Sequence, residues 1–437
     1  MTFLLNLLFT MWFVYYSFRI YNRQNLLCIQ NPCENEPYPI NRNLHFLLFS
    51  VATAMLFLGS FSLVKYAFSI ILLLFIALTS FQLKFEKIVC VYMAFFLWCC
   101  FSLLNSIDKV QGIMMLIKYS LPLLYLWLGY NAINNKEDFL LLLKKTNLIM
   151  VIYALFIGGF ASIILPFVYN ALLYKSGGLF IAYASLADFF SALFVIPLTL
   201  YIIYRKKIYL LSATWILLST ILETVRTGLG GIALATSSFI LVIYKLKAIP
   251  YILIFVILSI ATIYLVPSFK EKMFINDRES TQVYKNGTLD LDNIQSNGRE
   301  VIWKTNLAKF YKPNPIIGSG LGNSVQYTKD NFIVKLIHSD YVQILCDTGL
   351  IGIVLFGLFF FVTVLKIGYC TVFFKDDFIL LSGAMALGSC LGTFFSMAFD
   401  NVVSYSQQAF IFPFVFIGIF LKAVDLYKLE LINIHRC

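Results

Sequence analysis

About thirteen apolar runs divide this chain, at 3–19, 44–60, 62–82, 87–105, 112–131, 146–166, 181–204, 208–225, 227–245, 249–267, 346–368, 378–398 and 408–426. As helices, runs of this length can each cross a hydrocarbon core of about 30 Å. The longest polar stretch between them is an island from Pro267 to about Asp340. The pattern predicts an all-α, polytopic transmembrane helical bundle of about 12–13 spans, with one large periplasmic loop near its C-terminal end. Its expected parts are N-terminal transmembrane helices over 1–266, the loop over 267–340 and C-terminal transmembrane helices over 341–437. No internal repeat is visible, and no inverted pair of Gly/Pro-broken segments of the kind found in secondary transporters.

Basic residues orient the runs. Lys84/Lys87, Lys136 with Lys144-Lys145, Arg205-Lys206-Lys207, Lys245/Lys247, Lys366/Lys375 and the Lys422–Arg436 tail fall at alternate ends, which assigns them to the cytoplasm. The remaining connectors are poor in base: Gly59-Ser60, Asn105–Gln111, Pro166–Phe180, Thr227-Gly228 and Asp400–Ser406. The polar island shares their side, so it faces the periplasm or cell exterior, and long loops translocate largely regardless of their own lysines. Arg19, Arg23 and Arg42 follow the first run and put the N-terminus outside. That run has no basic leader and no small-residue cleavage site, so it reads as a span rather than a signal peptide.

Composition agrees with the pattern. Hydrophobic residues make up 60% of the chain, charged residues 13%, and the mean hydropathy is +0.84, far outside soluble-domain norms. The net charge of +11 suggests a nucleic-acid partner at first sight. Its location in short connectors between spans argues against one. Nine cysteines are scattered, with Cys99-Cys100 inside an apolar run and Cys28 and Cys33 in a loop without histidine at metal spacing. Neither a zinc site nor a disulfide framework is indicated, and no cofactor is expected.

The island carries the candidate chemistry. Glu300–Phe310 (EVIWKTNLAKF) has Val301, Ile302, Leu307 and Phe310 near helical spacing, which predicts a short amphipathic helix on the membrane surface or over a cavity. Pro313-Asn314-Pro315 stops it. GSGLGN (Gly318–Asn323) lacks the surrounding strand–helix unit of a dinucleotide site and reads as a tight loop. Ser339-Asp340 can cap the helix that enters the membrane, which leaves His338 at its mouth.

Three residues stand out. Arg226, in LETVRTGLGG, lies between two spans with hardly a loop. It reads either as a partner of Glu223 or a snorkelling charge, or as a bidentate anion-binding group. Arg299 opens the amphipathic segment after SNG, where a solvated loop charge and an anion contact at a helix start are both open. His338 is one of three histidines; it fits a structural residue near the interface or a base that takes a hydroxyl proton near neutral pH. Asp188, Lys118 and Asp400 are further charges in or beside spans, and Asp347 is a further candidate for the His338 mouth. No nucleophile elbow or triad spacing is present.

These motifs resemble the membrane family of O-antigen polymerases and O-antigen ligases in three places: VRTGLGGIALA with Arg226, NGREVIW…PNPIIGSGLGN with Arg299, and HSDYVQILCDTGLIG with His338. Elsewhere the similarity is one of hydropathy only. The resemblance implies a metal-independent glycosyltransferase whose donor is a polyprenyl-pyrophosphate-linked oligosaccharide. Arg226 and Arg299 would hold the pyrophosphate, and His338 would bind or deprotonate the acceptor hydroxyl. The HSDY form and the Phe/Tyr/Ile/Lys bias look more like polymerases, which join lipid-linked repeat units, than ligases, which move finished glycan to lipid A–core. A polymerase implies a polysaccharide chain-length regulator as partner and a site at the periplasmic face of the bacterial inner membrane. A flippase of lipid-linked glycans also needs many spans and buried charges. It would spread those charges through several helices instead of grouping them at one face.

Overall fold

The computed structural model describes residues 11, 15, 83–155, 183–222, 225–265, 284–285, 288–289, 299–332 and 336–434. The expected spans at 44–60 and 62–82, nearly all of 3–19, Glu223 and the Cys28/Cys33 loop lie outside them. The described residues are overwhelmingly helical. In chain order the helices are α1 (Lys87–Leu103), α2 (Lys109–Asn131), α3 (Lys136–Tyr153), α4 (Tyr183–Leu193), α5 (Val195–Tyr204), α6 (Lys207–Leu222), α7 (Arg226–Tyr244), α8 (Ile249–Leu265), α9 (Arg299–Asn306), α10 (Asn323–Asn331), α11 (Asp340–Phe373), α12 (Asp377–Phe399), α13 (Val402–Tyr405) and α14 (Gln407–Ile434). A two-residue antiparallel pair, Tyr284–Lys285 with Thr288–Leu289, is the only strand pairing among them. The fold is the all-α polytopic bundle that the apolar pattern predicts. Six described stretches are long and apolar enough to cross a membrane: Lys109–Asn131, Ala187–Tyr204, Arg226–Leu258, Asp340–Phe373, Asp377–Phe399 and Gln407–Ile432.

Helix α14 is the hub, lying against α2 and α12, while α7 packs along α12 and α1 along α11. In lipid such packing relies on close backbone approach at small residues. Gly129 of α2 faces the Val415 backbone, Gly418 of α14 faces the Leu126 backbone, and a Cβ on either would collide with main chain.

Two helix starts lie well ahead of the hydropathy reading. Helix α3 begins at Lys136, ten residues before the apolar run, so Lys144 and Lys145 stand inside a helix rather than in a connector. The Asn135 side chain accepts from Asp138 N at 2.8 Å, and Glu137 and Asp138 suit a first turn; hydropathy averages cannot see such polar starts. Helix α11 begins at Asp340, six residues before the run, with Ser339 Oγ accepting from Val342 N at 3.3 Å.

Helix α11 also breaks. Gly349 has φ 69° and ψ −165°, a conformation essentially reserved for glycine, and the helix changes course there. Broken backbone at membrane depth is tolerated only where protein satisfies the freed groups. Here the GSGLGN loop does so. Ser319 N donates to Cys346 O (3.0 Å), Gly320 N to Asp347 O (3.1 Å), and Leu350 N to Pro315 O (2.9 Å). Helix α1 adds Trp98 Nε1 to Thr348 O and Ser102 Oγ to Asp347 O, both 2.8 Å.

Candidate functional site

The site forms at one end of the bundle, around the corner Asp400–Ser406 between α12 and α14. Among the described residues, three of the stretches that the charge pattern assigns to a single side meet at this end: Asn105–Gln111, Asp400–Ser406 and the 318–340 part of the island. Ser106 Oγ donates to Leu321 O at 2.8 Å, Ile107 N donates to Asn323 Oδ1 at 2.8 Å, and His338 reaches Asp400 and Asn401.

His338 is held in the left-handed region, φ 58°, which costs a residue with a Cβ about 1 kcal/mol. Its surroundings impose that geometry. The backbone N–H donates to Asn401 Oδ1 at 2.5 Å, Trp303 Nε1 of α9 clamps the preceding carbonyl, Ile337 O, at 2.7 Å, and α11 begins immediately after. The imidazole Nδ1 lies 3.1 Å from Asp400 Oδ1, and the ring is only partly exposed. In the tautomer whose Nδ1–H donates to Asp400 Oδ1, Nε2 is left as an acceptor. A side chain so oriented can take a proton from a bound hydroxyl.

Asp400 is buried, and its Oδ1 also accepts from Asn401 N at 3.0 Å. Asn401 ties the layers together, since its Nδ2 reaches Gln343 Oε1 at 3.2 Å and Asp340 Oδ1 at 3.4 Å. Asp340 is buried too, and takes Val403 N at 3.1 Å. Beside them, burial and the neighbouring Asp400 carboxylate push the Tyr405 hydroxyl well above its ordinary range, so it stays a neutral donor.

The two arginines approach the same corner from other elements. Arg299 is the first residue of α9, and its Nη1 donates to Phe399 O at 2.7 Å, the last carbonyl of α12 and a favourable place for a cation. Arg226 is the first residue of α7, half-buried, and within electrostatic reach of Arg299. Both arginines open helices, whose N-termini favour an anion, although the Arg299 guanidinium itself rests on the C-terminal carbonyl of α12. Two cations brought together repel, and an anion between them relieves that cost.

A model of the O-antigen ligase family matches residues 210–357, from α6 through the glycine loop into α11, and takes in Arg226, Arg299 and His338. Over this segment the chain is similar to the O-antigen ligase family, which supports the membrane family of O-antigen polymerases and ligases. No curated protein matches the chain. The domain as matched stops short of Asp400 and Asn401, so the side chains that bond His338 directly come from beyond it.

Two sequence expectations change. Asp347 does not join the His338 mouth: its carboxylate accepts Gly322 N at 2.8 Å and Ser324 N at 3.0 Å, which fastens the glycine loop to α11. Asp400, one of several undistinguished charges in the sequence, is the one that holds the imidazole. Asn401 went unrecognised, although a polar DN pair directly after an apolar span was a usable signal. The pairing of Arg226 with Glu223 lies outside the described residues. Among the described residues no group of three His, Cys, Asp or Glu side chains is placed to hold a metal ion.

Proposed function

We propose that this protein is an O-antigen polymerase, a glycosyltransferase that joins polyprenyl-pyrophosphate-linked oligosaccharide repeat units at the periplasmic face of the bacterial inner membrane. The observation that carries the reading is the meeting of His338, Arg299 and Arg226 around Phe399-Asp400, an oriented base beside two cations. In the reaction, His338 Nε2 takes the proton of the acceptor hydroxyl and the freed oxygen attacks the anomeric carbon of the donor. The bond from that carbon to the pyrophosphate oxygen breaks, and its electron pair stays on the leaving group. Arg226 and Arg299 hold the pyrophosphate and stabilise the charge that develops on it, which guanidinium does with bidentate geometry. His338 then returns its proton to the released pyrophosphate or to water. Asp400 keeps the imidazole in the productive tautomer. A polysaccharide chain-length regulator is the expected partner.

A second reading, an O-antigen ligase that transfers glycan to lipid A–core, is favoured by the description of the matched family itself. The HSDY form and the aromatic bias favour the polymerase. Lipopolysaccharide from a strain lacking the gene, separated on a gel, tests both. Core bearing a single repeat with no ladder is the polymerase outcome. Bare core with long glycan accumulating on the lipid carrier is the ligase outcome, and bare core without lipid-linked polymer overturns both in favour of export.

A further inference from the structure

The loop that fastens the break of α11 carries apolar side chains that stay exposed. Ile316 and Ile317 of PNPIIGSG are open, the first at 60%. The turn between α1 and α2 does the same: Leu104 is 71% exposed, Ile107 is 85% exposed, and Val110 is open as well. The two stretches adjoin, because Leu321 O takes the Ser106 hydroxyl and Asn323 Oδ1 takes Ile107 N. Below them, each neighbouring helix presents an exposed apolar stripe at helical spacing. On α1 it is Leu97, Phe101 and Leu104; on α11 it is Leu350, Val354 and Leu358. The rim of loop and turn therefore stands at the top of two stripes that face outward along the bundle.

Height along the bundle says what covers this rim. At the end opposite the site, just before α1, Lys84 pairs with Asp425 at 2.7 Å and Lys366 with Glu86 at 3.4 Å. Part-exposed ionised groups of this kind belong at the edge of a hydrocarbon core. From that level α1 rises 17 residues, roughly 26 Å at the ordinary helical rise. On α11 sixteen residues separate Lys366 from Leu350, roughly 24 Å. A hydrocarbon core is about 30 Å thick, so Leu104, Leu350 and the Ile316 carbonyl bonded to Ile351 N lie within its reach, and tilt only lowers them. The main chain suits such a place, where non-helical backbone needs its polar groups satisfied by protein. Pro313 and Pro315 bring no N–H, Pro315 O and Ile316 O take Leu350 N and Ile351 N at 2.9 and 3.2 Å, and Gly318 N donates to Asn314 O at 2.9 Å. At the turn, Lys109 Nζ folds back onto Leu103 O and Leu104 O, at 3.1 and 2.7 Å, at the end of α1.

We propose that Ile316-Ile317 and the α1–α2 turn form an apolar wedge inserted into the leaflet on the side of the site, with lipid acyl chains as its occupant. This part of the 267–340 island then lies in the membrane rather than above it. A protein partner would also bury an apolar rim. The continuation of the rim into two stripes that descend over the height of a span fits a bilayer instead. The inference stands independently of the transfer reading. Under that reading, the wedge holds the glycine loop in the leaflet that carries the lipid-linked donor.

The test places a fluorescent amino acid in the full-length protein, in separate variants at Ile107, Ile316, Val354 and Lys304, reconstituted into phosphatidylcholine–phosphatidylglycerol vesicles. Val354, on the α11 stripe, is the lipid reference, and Lys304, an exposed residue of α9, is the water reference. Lipids with brominated acyl chains should quench the labels at Ile107 and Ile316 as strongly as the label at Val354. Aqueous iodide should leave those two nearly unquenched while it quenches the label at Lys304. Quenching by iodide in place of bromine puts the rim in water and overturns the inference. Protection from both quenchers overturns it too, because the segment 44–82 or a second protein would then cover the rim. Ile107 and Ile316 belong to different elements, so either label carries the test should the other variant fail to accumulate. Transfer activity enters none of these outcomes, so a failure here and a failure of the transfer reading stay distinct.

Discussion

Two buried aspartates sit near the same end of α11 and do opposite work. Asp347 spends both oxygens on main-chain N–H groups, those of Gly322 and Ser324. Asp400 gives Oδ1 to one main-chain N–H and to the imidazole of His338. Backbone partners neither titrate nor move without unfolding the loop, so the Asp347 contact fixes geometry. An imidazole can take up a proton at one nitrogen while the other donates, so the Asp400 contact can steer a proton. The backbone tells the same story. Gly349, beside Asp347, takes its unusual φ at no side-chain cost, whereas His338 takes a positive φ against its own preference. Arg205 and Lys245 also take a positive φ, at helix C-termini, so what sets His338 apart is that its strained backbone coincides with the contact between its ring and Asp400.

The sharpest way to break this contrast is His338→Ala. Loss of a general base costs on the order of a thousandfold in rate. Repeat-unit transfer in membranes should fall by about that factor, while the quantity of protein in the membrane stays that of the wild type. Wild-type transfer would leave the strained histidine without a purpose. Gly349→Ala should do the reverse. A Cβ there meets the Ile316 carbonyl and Gly318 N, and the φ/ψ is one that alanine avoids. The expected loss is about 3 kcal/mol of stability, read as a lower midpoint in thermal unfolding in detergent. The protein that survives should transfer repeat units at a near-normal rate.

The sequence made one side of the contrast legible and concealed the other. Apolar runs locate both ends of α2 and α12 and the start of α14 to within a few residues, because a span must be long and apolar whatever it packs against. They miss the start of α3, which is set by an Asn135 cap, and the break in α11, which is set by a loop from a distant segment. Charge alternation places Arg226, Arg299 and His338 at one face. It carries no information on which partner each finds. The carbonyl of Phe399 is a main-chain group present at every residue, and Asp400 looks like any polar residue ending a span. Only the approach of α9 and the 336–340 segment to the end of α12 singles them out.

Asp400→Asn sharpens the comparison on the catalytic side. An amide can donate as well as accept, so it no longer enforces the tautomer with Nε2 free. Turnover should fall about a hundredfold, with the donor KM within a small factor of the wild type. Asp347→Asn, measured beside it, should leave turnover intact and lower the unfolding midpoint, because it weakens acceptance from two buried N–H groups. Should the two variants behave alike, the distinction between a fastening carboxylate and a steering one would fail.

Arg299→Lys is the mildest of these tests and the most specific. The ammonium keeps the charge, and with it the attraction to the α12 C-terminus that Nη1 now satisfies at Phe399 O. What it loses is the planar fork that lets one guanidinium contact a helix carbonyl and a phosphate oxygen together. The loss of one charge-assisted hydrogen bond amounts to about tenfold. It should appear as a raised donor KM together with a reduced kcat, since the pyrophosphate gains charge as its bond to the sugar breaks. A lysine variant as active as the wild type would make Arg299 a local helix-end contact, leaving Arg226 as the only arginine on the leaving group.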